Sequence, residues 1–393
     1  MADRKKVLIL GGGFGGVKTA LLLSNNPNFE VSLLSDATDF SFHPVLYKAA
    51  TGGREDASSI PLNEIFAGKN IVLIHGSAKT LDRNKKTVTT SSGKTYHYDD
   101  LVIALGAITN FFGIKGLDQY AYGIKPLNEA KKLRQHLHKL ILDEQKPDLN
   151  YVVIGGGPTG VELAGALPGY LRHIMQSHGI KSKALQIDLV EAESRLMPRM
   201  PRPYSAAVAR RLRRLGVRLY LGQKVEAETA QELMIGGHDI KSHTVVWTAG
   251  VTNHPFFKTN NFKLTDHGKA PTDEYLIAED NIYVIGDNAD TPYSGMAQTA
   301  LYDAVFVADN LNRLSIDRLP KIYRPKRPIY ITPVGPHWAA VSWGGIHIYG
   351  WLGWVLRAAA NLIAYHDLEP WWKASKHWQA SFQSENNCPI CKQ

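Results

Sequence analysis

Short apolar runs, glycine clusters and helical stretches follow one another along most of this chain. Lys5 to Leu10 reads as a strand, followed by Gly11-Gly12-Gly13-Phe14-Gly15-Gly16, a helical stretch through Val17, Ala20 and Leu21, and a second strand over Val31 to Leu34. A short continuous apolar run bounded by glycine predicts a strand covered on both faces, as in a parallel sheet. The same unit returns. Tyr151 to Ile154 is a strand, Gly155-Gly156-Gly157-Pro158-Thr159-Gly160 repeats the glycine pattern, Val161 onward is helical, and Ile187 to Val190 is a strand ending at Glu191. Each copy is followed by a hairpin pattern and then by an apolar strand ending in glycine, Leu101 to Gly106 and Val245 to Gly250. The spacing from Gly11 to Gly155 equals that from Gly106 to Gly250, whereas the acids Asp36 and Glu191 do not keep it.

The glycine pattern is G-x-G-x-x-G between a strand and a helix, and each glycine has its own task. Gly11 and Gly155 permit the tight turn, Gly13 and Gly157 let a pyrophosphate approach the backbone, and Gly16 and Gly160 let helix pack close to strand. The phosphate then meets the unpaired N–H groups and positive dipole end of the helix. One such motif is weak evidence. Two copies, each followed by an acid at a strand end, predict two Rossmann-like dinucleotide-binding units in an α/β chain, and packing glycines alone do not explain the doubling. Two dinucleotides suggest a bound FAD paired with a nicotinamide, since hydride passes between two carriers.

Composition narrows the class. The 393 residues are 44% hydrophobic and 21% charged, which excludes a disordered chain and predicts two or three domains at roughly 150 residues each. The opening MADRKK enters an apolar run at Val7, too early for a signal-peptide core. No apolar stretch reaches the roughly 18 residues of a membrane span. Two cysteines cannot make a disulfide framework, so a reducing compartment is expected. The net charge of +9 calls for anionic partners. Arginines crowd between Arg195 and Arg218 without an acid, including Arg210, Arg211, Arg213 and Arg214, but only Tyr204 is interleaved. That predicts a solvated helix face rather than a nucleic-acid surface. There is no H-E-x-x-H, nucleophile elbow or P-loop lysine.

Seven of the eight tryptophans lie between Trp338 and Trp378. Gly350 to His366 is apolar, interrupted by Arg357 and Asn361. Pro370 then opens a helix that places Trp371, Ser375, Trp378 and Phe382 on one face, with Lys373, Lys376 and His377 elsewhere. Tryptophans beside lysines suit an interfacial helix, with rings at headgroup depth and cations meeting acidic lipid; a dimer interface or a core-packed helix is the alternative. Cys388-Pro389-Ile390-Cys391 supplies two ligands where zinc needs four. A zinc site shared between chains, a redox dithiol and no role all stay open, and no metal site is assigned.

At this point the motifs resemble those of the two-dinucleotide-fold flavoprotein oxidoreductases, and among them the type II NADH dehydrogenases (NADH:quinone oxidoreductases). The resemblance runs over residues 5 to 365. It rests on GGGFGG, on Phe42-His43-Pro44-Val45-Leu46-Tyr47 with Ala50-Thr51-Gly52, and on GGGPTGVELAG from Gly155 to Gly165, the most discriminating. Val246 to Val251, Ile285-Gly286-Asp287 and Ala297-Gln298 complete it. It implies an FAD site built from Gly11, Gly13, Phe14, Gly15, Gly16, Ser35, Asp36, His43, Ala78, Ala104, Gly106, Gly286, Asp287, Ala297 and Gln298. It implies an NADH site built from Gly155, Gly157, Thr159, Gly160, Glu162, Glu191, Ala249 and Gly250, with Glu162 and Gln298 in catalytic roles. Glu191 would accept from the ribose 2′-OH and so favour NADH over NADPH, a preference that Arg195 could soften.

The resemblance also implies a discontinuous FAD domain (1–112 and 253–335), an inserted NADH domain (113–252) and a C-terminal amphipathic membrane-surface segment (336–393). The expected activity is NADH oxidation by a quinone without proton pumping, in a homodimer bound peripherally to anionic lipid on the cytoplasmic face of the cell membrane, with no nucleic acid. An NADH oxidase or diaphorase and an NADH-responsive flavoprotein sensor are the alternatives. Three departures stand out. Ser35 holds the place of the FAD-ribose acid, with Asp36 one later; Tyr302-Asp303 stands where the family has further glutamines; and the C-terminal region is short and rich in tryptophan.

Overall fold

The computed structural model describes residues 4–125, 127–142, 150–180 and 185–383. The chain starts with β1 (Lys5–Leu10), α1 (Phe14–Leu23) and β2 (Phe29–Ser35). β1 and β2 are parallel, with Lys5 opposite Phe29 and Leu10 opposite Leu34. The run is continuously apolar because both faces are covered. Val7 and Ile9 join a core with Val17 of α1, while Leu8 and Leu10 join another with Phe256 and Phe257. The short helix α2 (Leu46–Ala50), β3 (Ile71–His75), β4 (Asp100–Ile103) and β5 (Ala107–Thr109) follow.

The second unit comprises β6 (Asn150–Ile154), α3 (Pro158–Ser177), β7 (Gln186–Glu191), α4 (Arg202–Arg214), β8 (Val217–Leu221) and β9 (Thr244–Trp247). Its four strands form a parallel sheet in the order β8-β7-β6-β9. β10 (Val251–Asn253) pairs antiparallel with β5, Ala107 opposite Asn253, so the chain's exit from the first unit and its return are tied together. β11 (Ile277–Glu279) and β12 (Ile282–Val284) then complete the first sheet, in the order β11-β12-β4-β1-β2-β3. α5 (Ala297–Leu314) packs along α1.

The C-terminal part is an antiparallel sheet of β13 (Tyr330–Pro333), β14 (Ala339–Trp343) and β15 (Ile346–Gly350), followed by α6 (Trp351–His366) and α7 (Trp371–Ala380). It is clamped to the start of the chain. Tyr365 stacks on Phe42 with ring centroids 3.9 Å apart, and its hydroxyl donates to the Ala57 carbonyl at 2.5 Å. On α4, Arg202, Arg210, Arg213 and Arg214 are exposed, the solvated face expected, while Arg211 donates to the carbonyls of Val334 and Pro336.

The aromatic face expected on α7 is split by packing. Trp378 turns inward, donating its indole N–H to the Ala358 carbonyl at 2.7 Å, and Trp371 stacks on His366 at 3.7 Å. Small buried residues, Ala374 and Ala380, bring α7 close to its neighbours, so Trp378 fills the remaining gap. Trp372, outside the expected face, is 60% exposed, with the Lys373 and Lys376 ammonium groups 5.5 and 5.4 Å from its ring. No helix among the described residues is long and apolar enough to cross a membrane.

Candidate functional site

The two glycine turns divide their labour identically. Gly11 and Gly155 have φ of +110° and +112°, which side chains avoid. A Cβ on Gly11 would lie 2.2 Å from the Ala104 carbonyl oxygen, and one on Gly155 would lie 2.8 Å from Ala249 Cα. Ala104 and Ala249 are thus the backbone passing beside each turn. A Cβ on Gly16 or Gly160 would sit 2.0 or 1.9 Å from the carbonyl oxygen of Gly11 or Gly155, inside the helix–strand contact. A Cβ on Gly13 or Gly157 would meet nothing within 4 Å. Those two glycines are the N-caps of α1 and α3 and neither makes a side-chain cap bond. Packing therefore accounts for the first and third glycines but not the second. An open approach to uncapped helix N–H groups is the geometry that receives a pyrophosphate. FAD and NADH fit these residues.

Around the first turn, Phe14 is buried edge-on to Phe40 at 4.8 Å, and a Cβ on Gly15 would approach Ile285 at 3.1 Å. Gly106 and Asn288 exchange two hydrogen bonds, 3.0 and 2.7 Å, and Asn288 also donates to the Asn253 side chain at 2.6 Å. Asn288, which sequence reasoning missed, knots both strand-end segments to the Gly286-Asp287 turn. Its only signal was adjacency to Ile285-Gly286-Asp287. Asp287 is half-buried in that turn, and Ala78 begins the strand Ala78–Asp82. His43 opens toward solvent, yet surrounding protein and the Lys125 charge hold its imidazole neutral, with its pKa pushed down to about 3.

The ribose stations differ. Glu191, the last residue of β7, accepts from the N–H groups of Gly156 at 2.5 Å and Glu193 at 2.8 Å. At the equivalent end of β2 stands Ser35, whose hydroxyl lies 2.6 Å from where a Gly12 Cβ would be and accepts from the Ala37 N–H at 3.2 Å. Asp36 follows the strand as a bend residue and is exposed. Arg195 is engaged within its own segment. Its guanidinium binds the Met200 carbonyl at 2.6 Å, the Ser205 hydroxyl at 2.8 Å and the Pro198 carbonyl, so it holds its own loop.

Glu162 lies on the first turns of α3 and is 9% exposed. Burial raises its pKa to about 7 against the opposing pull of Arg357, Lys125 and Lys48. Arg357 of α6 stands 3.6 Å from the carboxylate and donates to the Ile331 carbonyl at 2.8 Å and the Pro44 carbonyl at 2.7 Å. Lys48 of α2 donates to the Ser381 carbonyl at 2.6 Å, and burial lowers its pKa to about 8. The sequence pattern showed Arg357 only as a charge interrupting an apolar stretch. Gln298, in the first turn of α5, accepts from the Ile329 N–H at 2.9 Å and donates to the Tyr302 hydroxyl at 2.9 Å. Ile329 to Ile331 thus bridges the neighbourhoods of Gln298 and Glu162, while Ala297 stands at the head of α5 beside the Gly286 turn. Thr159 and Gly250 are half-buried and Ala249 is exposed, all at the second turn's mouth. Asp303 is buried, accepting from the Gly286 N–H at 3.0 Å and the Tyr323 hydroxyl at 2.5 Å. The cysteine pair at 388 and 391 lies outside the described residues.

A family model described as pyridine nucleotide-disulphide oxidoreductase matches residues 5–304. The chain belongs to that family. Among named relatives, the type II NADH:quinone oxidoreductase Ndh of Mycobacterium tuberculosis is 27% identical, the alignment covering 92% of this chain and 85% of that protein. A type II NADH:quinone oxidoreductase of Staphylococcus saprophyticus is also 27% identical, over 79% of this chain and 83% of its own length. The fold matches NDH2 of Plasmodium falciparum, solved in complex with NADH, with a TM-score of 0.86 at 18% identity, over 97% of this chain and 98% of that one. It also matches the sulfide:quinone oxidoreductase of Aquifex aeolicus, with a TM-score of 0.77 at 20% identity, over 98% and 94%.

Proposed function

We propose that this chain is an FAD-dependent NADH:quinone oxidoreductase that does not pump protons. The observation that carries the reading is the pair of matched turns, each with an uncapped helix N-terminus and an unobstructed second glycine, in a family of pyridine-nucleotide oxidoreductases. Bound FAD would supply the two-electron carrier between hydride donor and acceptor. Residues 1–112 and 253–335 hold it through Gly11, Gly13, Phe14, Gly15, Gly16, Ser35, Ala104, Gly106, Gly286 and Asp287. Residues 113–252 hold NADH through Gly155, Gly157, Thr159, Gly160, Ala249 and Gly250. Glu191 accepts from the adenosine ribose, and with Arg195 committed to its own loop a 2′-phosphate meets a carboxylate without a compensating cation. NADH is therefore preferred over NADPH. Glu162 sets the charge beside the nicotinamide.

The C-terminal segment, 336–393, attaches the enzyme peripherally to anionic lipid at the cytoplasmic face of the cell membrane. Exposed Trp351, Leu352, Ile363 and Trp372 support this reading, and two ammonium groups around the Trp372 ring suit lipid headgroups better than a homodimer contact.

The test is anaerobic NADH oxidation by the FAD-loaded chain, with and without a soluble quinone analogue, then in air. Fast quinone-dependent turnover is expected. Turnover only in air would make the protein an oxidase. A flavin that bleaches once and stays reduced throughout would overturn the enzyme reading in favour of a sensor.

A further inference from the structure

The amino ends of β1, β4 and β12 stand at the far end of the first sheet from its glycine turn. They border a cavity of about 290 Å³ lined by Arg4, Lys5, Lys86, Asp99, Asp100 and Asn281. Asp100 is separated from Ala104, beside that turn, by about 13 Å of extended strand, so the cavity is distinct from the FAD site. Backbone bonds fix its walls. The Lys6 N–H donates to Asp99 Oδ2 at 2.7 Å, the Tyr98 N–H to the Lys86 carbonyl at 3.0 Å and the Leu101 N–H to the Asn281 carbonyl at 2.8 Å.

The charged side chains are not engaged in the same way. Asp100 is only 8% exposed, yet its carboxylate has no hydrogen-bond or ion-pair partner among the described residues, and neither do the side chains of Arg4, Lys5 and Lys86. Burial raises the Asp100 pKa against the pull of Lys5, Asp99 adds to the rise, and Lys86 opposes it. A buried carboxylate without a partner costs stability until a cation meets it. Here opposite charges face one another across open space without closing. Three cations against two carboxylates leave the cavity with one net positive charge. A bare cation would be repelled by Arg4, Lys5 and Lys86, and a bare phosphate would leave Asp100 unpaired. A matching ligand carries an ammonium group and a nearly dianionic phosphate, one net negative charge in all.

We infer that this cavity binds a small aminoalkyl phosphate, with its ammonium on Asp100 and its phosphate among Arg4, Lys5 and Lys86. The volume suits a ligand at the small end of the usual range. The inference does not depend on the NADH:quinone reading.

The experiment is calorimetric titration of the FAD-loaded full chain with aminoethyl phosphate, ethyl phosphate and ethylammonium. Aminoethyl phosphate is expected to saturate a single site, and the other two to bind about tenfold more weakly or worse, each lacking one charge-assisted contact. Asp100→Asn weakens aminoethyl phosphate about tenfold without weakening ethyl phosphate, whereas Lys86→Ala weakens both. Lys86 is exposed, so its variant reads the site without disturbing the core, and KM for NADH stays unchanged in both variants. Vesicles of an ethanolamine phospholipid that displace the probe would assign the ligand to a lipid headgroup, and an isotherm they leave unchanged would assign it to a soluble molecule. No saturable heat with aminoethyl phosphate, equal affinity for ethyl phosphate, or unchanged affinity in Asp100→Asn would overturn the inference.

Discussion

At the residue scale the second glycines separate ligand binding from folding. Gly157→Ala adds a methyl group to open space, whereas Gly160→Ala drives one into the Gly155 carbonyl. The first variant is expected to keep its melting temperature while KM for NADH rises about tenfold or more, the cost of at least one obstructed charge-assisted bond. The second is expected to lose about 3 kcal/mol of stability from overpacking. Calorimetry beside steady-state kinetics separates them, and equal melting losses in both would mean that Gly157 packs the fold instead of receiving a nucleotide.

Glu228 is a second residue-scale case. It ends the strand Val225–Glu228, is buried, and its Oε2 has no hydrogen-bond partner among the described residues. Burial alone raises its pKa from 4.5 to about 8. Between those values the folded state keeps a proton that the unfolded chain releases, so this group lowers stability as pH rises through that window. Glu228→Gln, neutral throughout, is expected to narrow the difference in melting temperature between pH 5 and pH 8. A difference that stays the same would show that Glu228 ionises without cost.

At the element scale, α6 decides the surroundings of Glu162. Its Arg357 holds Ile331, Pro44 and the Glu162 carboxylate at once, and its charge opposes the rise that burial imposes on Glu162. Arg357→Met removes that opposition, so the Glu162 pKa moves further up. The acid limb of the pH profile of kcat/KM for NADH is expected to move to higher pH in this variant, as it reports the free enzyme's ionisation. A limb that stays in place would mean that the Glu162 carboxylate takes no part in NADH turnover. The βαβ units behind this site were legible in the sequence because each strand, turn and helix is a local pattern of apolar period and glycine. The approach of α6 was not, since Arg357 and Glu162 meet only through packing between distant segments. The expected face of α7 holds in part, with Trp371 and Phe382 exposed and Trp378 turned inward, for the same reason: periodicity places Trp378 with Trp371 but does not say which side α6 will cover.

At the scale of the whole molecule, the segments that leave and re-enter the first unit pair with each other as β5 and β10, and Asn288 bonds Gly106 and Asn253 beside that pair. Attachment is the property to test here. The full chain is expected to sediment with vesicles containing anionic lipid, less so as salt rises. Trp372→Ala should weaken that binding about tenfold through lost apolar burial. Binding that ignores both salt and Trp372 would assign the exposed tryptophans to a protein contact.

The sequence by itself determined the two dinucleotide turns, their strands and the acid Glu191, because a turn that only glycine can make leaves its mark within a few neighbouring residues. Tertiary structure alone decided that Ser35 faces the first turn, that Arg195 is spent on its own loop, that Asn288 ties Gly106 to Asn253, and that Arg357 and Lys48 surround Glu162. Each of these depends on how one packed element is set against another far along the chain, and that setting is fixed by the fit of whole surfaces, which no local pattern records.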